Sequence, residues 1–103
     1  MGQSLLDAII DGDIVHLSGA LTFDAHQRWR QLLRDLPAPV KGTVLRLNMA
    51  KVDRLDAAGL GLLMITQETL AGQGAALVLA GSRGNVRRIL EVSGINALVT
   101  LED

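Results

Sequence analysis

The chain draws its hydrophobicity almost wholly from aliphatic side chains, and that restricts the folds open to it. Hydrophobic residues make up 49% of the sequence, yet aromatics only 2%, namely Phe23 and Trp29. Leu, Val, Ile and Ala must therefore supply nearly all the packing. A core of that kind suits strands covered on a face by helices. At 103 residues the chain has room for one domain, over residues 1–103, and none for a second core.

The apolar pattern divides that domain into strands and helices. Leu5 to Ile10 and Ile14 to Leu17 are short apolar runs on either side of Asp11-Gly12-Asp13, a hairpin signal. Thr22, Phe23 and Asp24 interrupt the strand pattern, and Asp24 with Gln27 resembles a capping box opening a helix. Ala25, Trp29, Leu32, Leu33 and Leu36 follow at helical spacing, which places Trp29 in the core stripe. Pro37 and Pro39 end that helix. Thr43 to Asn48 reads as a third strand, and a connecting segment runs on to Asp56. Leu60, Leu62, Leu63, Met64, Ile65 and Leu70 then predict a helix closing near Gly72 and Gly74. Its first half is apolar on most sides, so deep burial is expected. Ala75 to Ala80 is a fourth strand, too continuous to be half-exposed. Ser82 is the expected N-cap of a helix carrying Val86, Ile89 and Leu90, ended by Gly94. Ala97 to Leu101 adds a final short strand. The expected fold is α/β with order β-β-α-β-α-β-α-β, a mixed, mostly parallel sheet whose crossovers share one hand.

Charge and composition exclude several function classes. Ten basic and eleven acidic residues leave a net charge of −1, poor footing for nucleic-acid binding, which runs on phosphate neutralisation. No apolar run approaches the roughly 20 residues needed to cross a bilayer, so direct membrane insertion is not expected. The N-terminus lacks the basic, apolar and small-residue sequence of a leader, and a cytoplasmic protein is expected. With no cysteine there is no disulfide framework, thiolate nucleophile or Cys-based metal site. His16 and His26 stand ten residues apart without a carboxylate or hydroxyl relay, and read as a strand side chain and an exposed helical one. Asp53 and Asp56 read as a loop charge and a helix cap, since no further ligands gather near them. Arg83, Arg87 and Arg88 cluster near one helix, as a solvated face or as a patch for an acidic partner. Neither an enzyme nor a metal or cofactor site is expected.

The informative segment is Asp56-Ala57-Ala58-Gly59-Leu60-Gly61. Asp56 suits an N-cap accepting from the N–H of Ala58 or Gly59. Gly59 and Gly61 are unusual, because each costs about 1 kcal/mol relative to Ala inside a helix. They imply a close approach, by a neighbouring element or by a partner. A strand-to-helix junction lies at the carboxyl end of the sheet, where open α/β folds place their binding surfaces. The helix start also favours an anion, but neither a P-loop nor a Gly-x-Gly-x-x-Gly pattern is present.

The stretch from Asn48 to Leu63 resembles the signature of the STAS domain family, which includes the bacterial anti-sigma factor antagonists. Gly19-Ala20-Leu21, Gly74 to Gly81, and Val86-Arg87-Arg88-Ile89-Leu90 with Ser93-Gly94 extend the resemblance over nearly the whole chain. Leu21 to His26 with Trp29-Arg30 is similar to the stand-alone antagonists. The resemblance implies a partner-switching adaptor, monomeric or weakly dimeric, that binds an anti-sigma factor or serine kinase, with a phosphatase-type regulator resetting it. In such proteins a serine or threonine directly after the Asp accepts phosphate, whose added charge disrupts or reshapes the interface. Here that position is Ala57, either in a naturally divergent, constitutive binder or as an engineered substitution locking the unphosphorylated state. Arg46 also stands where many relatives carry an acidic or polar residue, so partner identity does not carry over. The contact surface the resemblance implies is the helix start at Asp56, Ala57, Ala58, Gly59, Leu60 and Gly61, with Thr22, Phe23 and Asp24 beside it. A second STAS role is an accessory subunit of a lipid-transporting ABC system, docking on its ATPase.

Overall fold

The structure, a computed structural model, describes residues 5–103. Residues 1–4, part of the expected domain and of the stretch read for a leader, lie outside the described residues. A hairpin opens the fold: β1 (Asp7–Asp11) runs antiparallel to β2 (Ile14–Leu21) across the Gly12-Asp13 loop. Gly12 has a φ of +63°, and among the described residues no non-glycine residue has a positive φ. Positive φ at the first loop residue alone is the type II′ pattern, whose twist matches that of the paired strands.

From β2 onward each strand leads through a helix to a parallel neighbour. Helix α1 (His26–Asp35) leads to β3 (Val44–Leu55), α2 (Ala57–Gly72) to β4 (Ala76–Ala80), and α3 (Gly84–Ser93) to β5 (Thr100–Glu102). The sheet order is β1-β2-β3-β4-β5. All three crossovers step the same way across the sheet, so right-handed connections put the three helices on one face. Register agrees with that placement. Val15, Leu47, Leu79 and Leu101 lie side by side on β2 to β5, and the first three join Trp29, Leu32, Leu62, Leu63, Val86 and Leu90 of the helices in one buried cluster. The next register, His16, Asn48, Ala80 and Glu102, belongs to the opposite face. There Arg46 donates to both carboxylate oxygens of Glu102 at 2.9 and 2.8 Å, and Asn48 Nδ2 lies 3.0 Å from His16 Nδ1. The result is the expected single α/β domain with a mixed five-stranded sheet and three helices.

Several local expectations are corrected. β2 continues past Leu17 to Leu21, and β3 continues past Asn48 to Leu55 where a connecting segment was expected. Irregular register between His16 and Ser18, and between Gly19 and Ala20, keeps the pair together where the apolar alternation breaks. β1 begins at Asp7 rather than Leu5, and β5 covers Thr100–Glu102 because Ile95–Ala97 forms a 3₁₀ turn. Asp24 does not cap α1: a 3₁₀ turn over Phe23–Ala25 precedes the helix, whose start has no side-chain cap. Ser82 does not cap α3 either, since Arg83 occupies the N-cap position. The helix from Asp56 is not deeply buried all round. It buries Gly59, Leu62, Leu63, Thr66 and Leu70, whereas Met64 and Ile65 are exposed.

Trp29, the one large aromatic in the core, is satisfied by a relay. Its Nε1 donates to Thr66 Oγ1 at 2.9 Å, and that hydroxyl donates to the Leu62 carbonyl at 2.8 Å. Thr66→Val keeps the volume but orphans the buried indole N–H, so a loss of about 1–3 kcal/mol is expected. Urea denaturation followed by Trp29 fluorescence measures it; an unchanged midpoint contradicts the relay. The Arg46 guanidinium holds the Glu102 carboxyl below its usual value of 4.5. This pair therefore stabilises the fold fully above about pH 4.5 and is lost as pH falls through the lowered native value. Melting curves between pH 3 and 6 should lose part of their acid slope in Glu102→Gln.

Candidate functional site

The carboxylate of Asp56 joins two segments at the carboxyl ends of β2 and β3. As the N-cap of α2 it lies in the extended region (φ −119°, ψ −177°), and Oδ1 accepts from Gly59 N at 2.7 Å. That matches one of the two partners expected from spacing. Oδ2 accepts from Phe23 N at 3.1 Å. The second bond was not expected. It fixes the loop after β2 against the start of α2, so Thr22 and Phe23 stand beside Ala57 and Ala58, while Asp24 lies exposed in the 3₁₀ turn. Leu60 N donates to the Asp56 carbonyl at 2.9 Å, and the Leu60 side chain is half-buried.

The two glycines of the segment separate into different roles. A Cβ on Gly59 would drive into the Leu21 carbonyl, and would lie 3.1 Å from Leu55 Cδ1. Gly59 is therefore required by internal packing of α2 on the end of β2. A Cβ on Gly61 would meet nothing within 4 Å. Gly61 leaves open space on the outward side of the helix.

That outward side is apolar. Ala57, Ala58, Met64 and Ile65 are exposed, at helical spacing opposite Leu62, Leu63, Thr66 and Leu70. Ile65 keeps 59% of its surface and Phe23, next to the clamp, 75%, values that mark an uncovered stripe rather than a core edge. Met64 and Ile65 were missed as surface residues. Their signal was the apolar run around α2, which reads equally as burial or as an exposed stripe. Thr66, the nearest hydroxyl along the helix, is buried and bonded at both ends.

Catalytic and metal chemistry find little here. No group of three or more His, Cys, Asp or Glu stands together among the described residues. A cavity of about 460 Å³ lies at the other end of the sheet, bordered by Leu33, Leu36, Pro37, Val40, Leu45 and Leu70. The hydroxyls in its wall, Thr43, Thr66 and Thr69, all donate to backbone carbonyls, so they do not converge on its interior. His16 lies on the exposed sheet face and His26 at the exposed start of α1. No described helix is long and apolar enough to cross a membrane.

Residues 7–100 match the family model described as "Mlab, STAS domain". The chain belongs to the STAS domain family. A STAS-domain containing protein of Pseudomonas aeruginosa (strain UCBPP-PA14) is 29% identical over 84 residues, 82% of this chain and 81% of that one. Among solved structures, a sulfate transporter family protein from Wolinella succinogenes is 26% identical with a TM-score of 0.72, covering 92% of this chain and 80% of that one. An anti-sigma factor antagonist from Mycobacterium paratuberculosis has a TM-score of 0.65 at 22% identity, covering 94% and 83%.

Two substitutions separate the glycine roles in this STAS domain. Gly61→Ala should raise stability by up to about 1 kcal/mol, because nothing obstructs the added methyl and the helix gains propensity. Gly59→Ala should lower it by about 1–3 kcal/mol, since α2 must move off the end of β2. Chemical denaturation of both variants checks this, and equal effects contradict the assignment.

Proposed function

We propose that this STAS domain is a partner-switching type of regulatory adaptor, whose contact surface is the start of α2 and the adjoining loop. The surface comprises Thr22, Phe23 and Asp24 with Asp56, Ala57, Ala58, Leu60 and Gly61, extended along the helix by Met64 and Ile65, while Gly59 is buried beneath it and contributes by seating α2 on β2. The observation that carries the reading is the uncovered apolar stripe locked in place by Asp56, with Phe23 75% exposed at its head. A rigid, partly apolar patch rimmed by charge is suited to a protein partner. The fold-level likeness to an anti-sigma factor antagonist supports a serine-kinase or anti-sigma type of partner.

Position 57 sets the mode of action. Ala57 is exposed as the first residue of α2 and has no hydroxyl to phosphorylate. The adaptor therefore binds by shape and stays in its binding form. That same feature favours a second reading, an accessory subunit that docks permanently on the ATPase of a lipid-transporting ABC system and needs no phosphate to release it.

Ala57→Glu separates surface from fold. An acid in the first turn suits the helix dipole, so the variant should fold and melt like the parent. It should nevertheless lose capture of the partner in a pull-down from the source organism, by at least tenfold, as expected when an unpaired charge enters an apolar contact. If Ala57→Glu and Phe23→Ala both keep the partner, the α2 start is not the interface. The captured protein separates the two readings, a serine kinase or anti-sigma factor against a transport ATPase.

A further inference from the structure

The end of the sheet opposite the α2 start holds the cavity of about 460 Å³. Protein interiors are close-packed, with few voids larger than a water molecule, so open space of this size in a domain of 103 residues asks for an explanation. Three elements border it, namely the end of α1 with Leu33 and Leu36, the start of β3 with Leu45, and the second half of α2 with Thr69 and Leu70. Leu33, Leu36 and Leu45 pack on the core yet remain half-exposed, and Val40 keeps 62% of its surface. Apolar surface is thus left uncovered around one hollow.

The loop from α1 to β3 keeps the hollow open. Leu36 is extended (φ −76°, ψ 146°), as a residue before proline prefers, and Pro39 restricts Ala38 in the same way. The chain therefore leaves the helix stretched rather than coiled down onto the sheet. Its far end is tied by Gly42 N to the Gly74 carbonyl at 2.9 Å and by Thr43 N to the Val40 carbonyl at 3.1 Å. Neither Pro37 nor Pro39 has an N–H, so the loop can border a dry space with few donors left unpaired. No aromatic residue lines the cavity, and the three hydroxyls there are donated to backbone carbonyls. Asp13, the one charged residue at the cavity among the described residues, is exposed.

We infer that this cavity binds an aliphatic chain, the hydrocarbon part of a small amphiphile whose polar end stays in water. Among the described residues no buried side-chain polar atom of the wall lacks a partner, so nothing inside fixes a polar group. An apolar cavity of that kind stays dry and takes up hydrocarbon. The space is about three times the roughly 150 Å³ that accepts a benzene ring, too large for one anchoring side chain of a docking protein. The wall offers no aromatic face on which a planar ring would stack, whereas a flexible chain can follow the gaps between Leu, Val and Pro side chains.

The site does not depend on the α2 start, and no protein partner enters its test. Trp29 is the sole tryptophan, and its indole is bonded to Thr66 in the cavity wall. Titrating the full chain with straight-chain primary alcohols from butanol to dodecanol, below their aggregation limits, should change Trp29 fluorescence saturably. Affinity should rise about fourfold for each added methylene and then level off once the cavity is full. Methyl NMR should place the shifts at Leu33, Leu36, Val40, Leu45 and Leu70. Decanoate and decylamine identify the polar end. With Asp13 beside the cavity the amine should bind more tightly, and an acid that binds as well as the alcohol still supports the chain site and identifies a fatty acid. Thr69→Phe, at an exposed position of α2, and Leu33→Phe on α1 fill the hollow from two sides. Each should weaken decanol binding about tenfold, nearly the loss of two buried methylenes, and Thr69→Phe should melt no lower than the parent. No saturable change, affinity that climbs without levelling off, shifts centred on Met64 and Ile65, or unchanged decanol binding in both filled variants would overturn the site.

Discussion

The carboxylate of Asp56 accepts from two backbone N–H groups that no helix or strand ladder satisfies, those of Phe23 and Gly59. One belongs to the loop after β2, the other to the first turn of α2. The loop and the helix can be held this close only because Gly59 has no side chain to strike the Leu21 carbonyl. Cap and glycine are thus one device. Remove either and the start of α2 no longer sits over the end of β2. Everything placed on the outward side of that junction, Phe23 and Ala57 included, takes its position from this contact.

The helices on one sheet face explain why the outward side can be apolar without collapsing inward. α2 gives Leu62, Leu63, Thr66 and Leu70 to the core, where Thr66 also satisfies the indole of Trp29. That set fills the inward side at a spacing of three and four residues. Met64 and Ile65 fall between those positions and cannot turn in. The uncovered sheet face behaves differently. Arg46 and Glu102 pair across it and His16 lies against Asn48, so these polar side chains are tied up in contacts with one another, with Ile9 exposed beside His16.

The element order and the Asp56 cap were legible in the sequence because both depend on local spacing. An apolar period, a capping residue and a terminating glycine such as Gly94, with φ +81°, act within a few residues of where they are read. What was not legible depends on what lies across from a residue. Gly59 and Gly61 look alike in sequence, and only the Leu21 carbonyl opposite one of them tells them apart. The outer half of β3 carries Lys51, Asp53 and Arg54 on its exposed positions, which hid a strand whose Val52 and Leu55 are buried. Ser82 matched the residue type of a cap, but the cap position fell one residue later. The capping box at Asp24 failed because the chain enters α1 through a 3₁₀ turn over Phe23–Ala25, which puts Asp24 inside that turn rather than at the helix start.

Ala57 follows Asp56 directly, so a phosphate at that position would place about −1.5 to −2 charges beside the carboxylate that holds the junction together. Two outcomes would compete. The helix dipole favours the added anion, while Asp56 repels it and the phosphate oxygens could take over its N–H partners. In a relative with a hydroxyl at this position, a switch of that kind acts on the same groups that position the surface, so modification changes shape as well as charge. Alanine takes that hydroxyl away, and the junction keeps the Asp56 contacts seen here. Under the adaptor reading, occupancy of the surface then follows the concentration of the partner and its affinity for that arrangement, and any further control must come from elsewhere in the domain or from the partner itself.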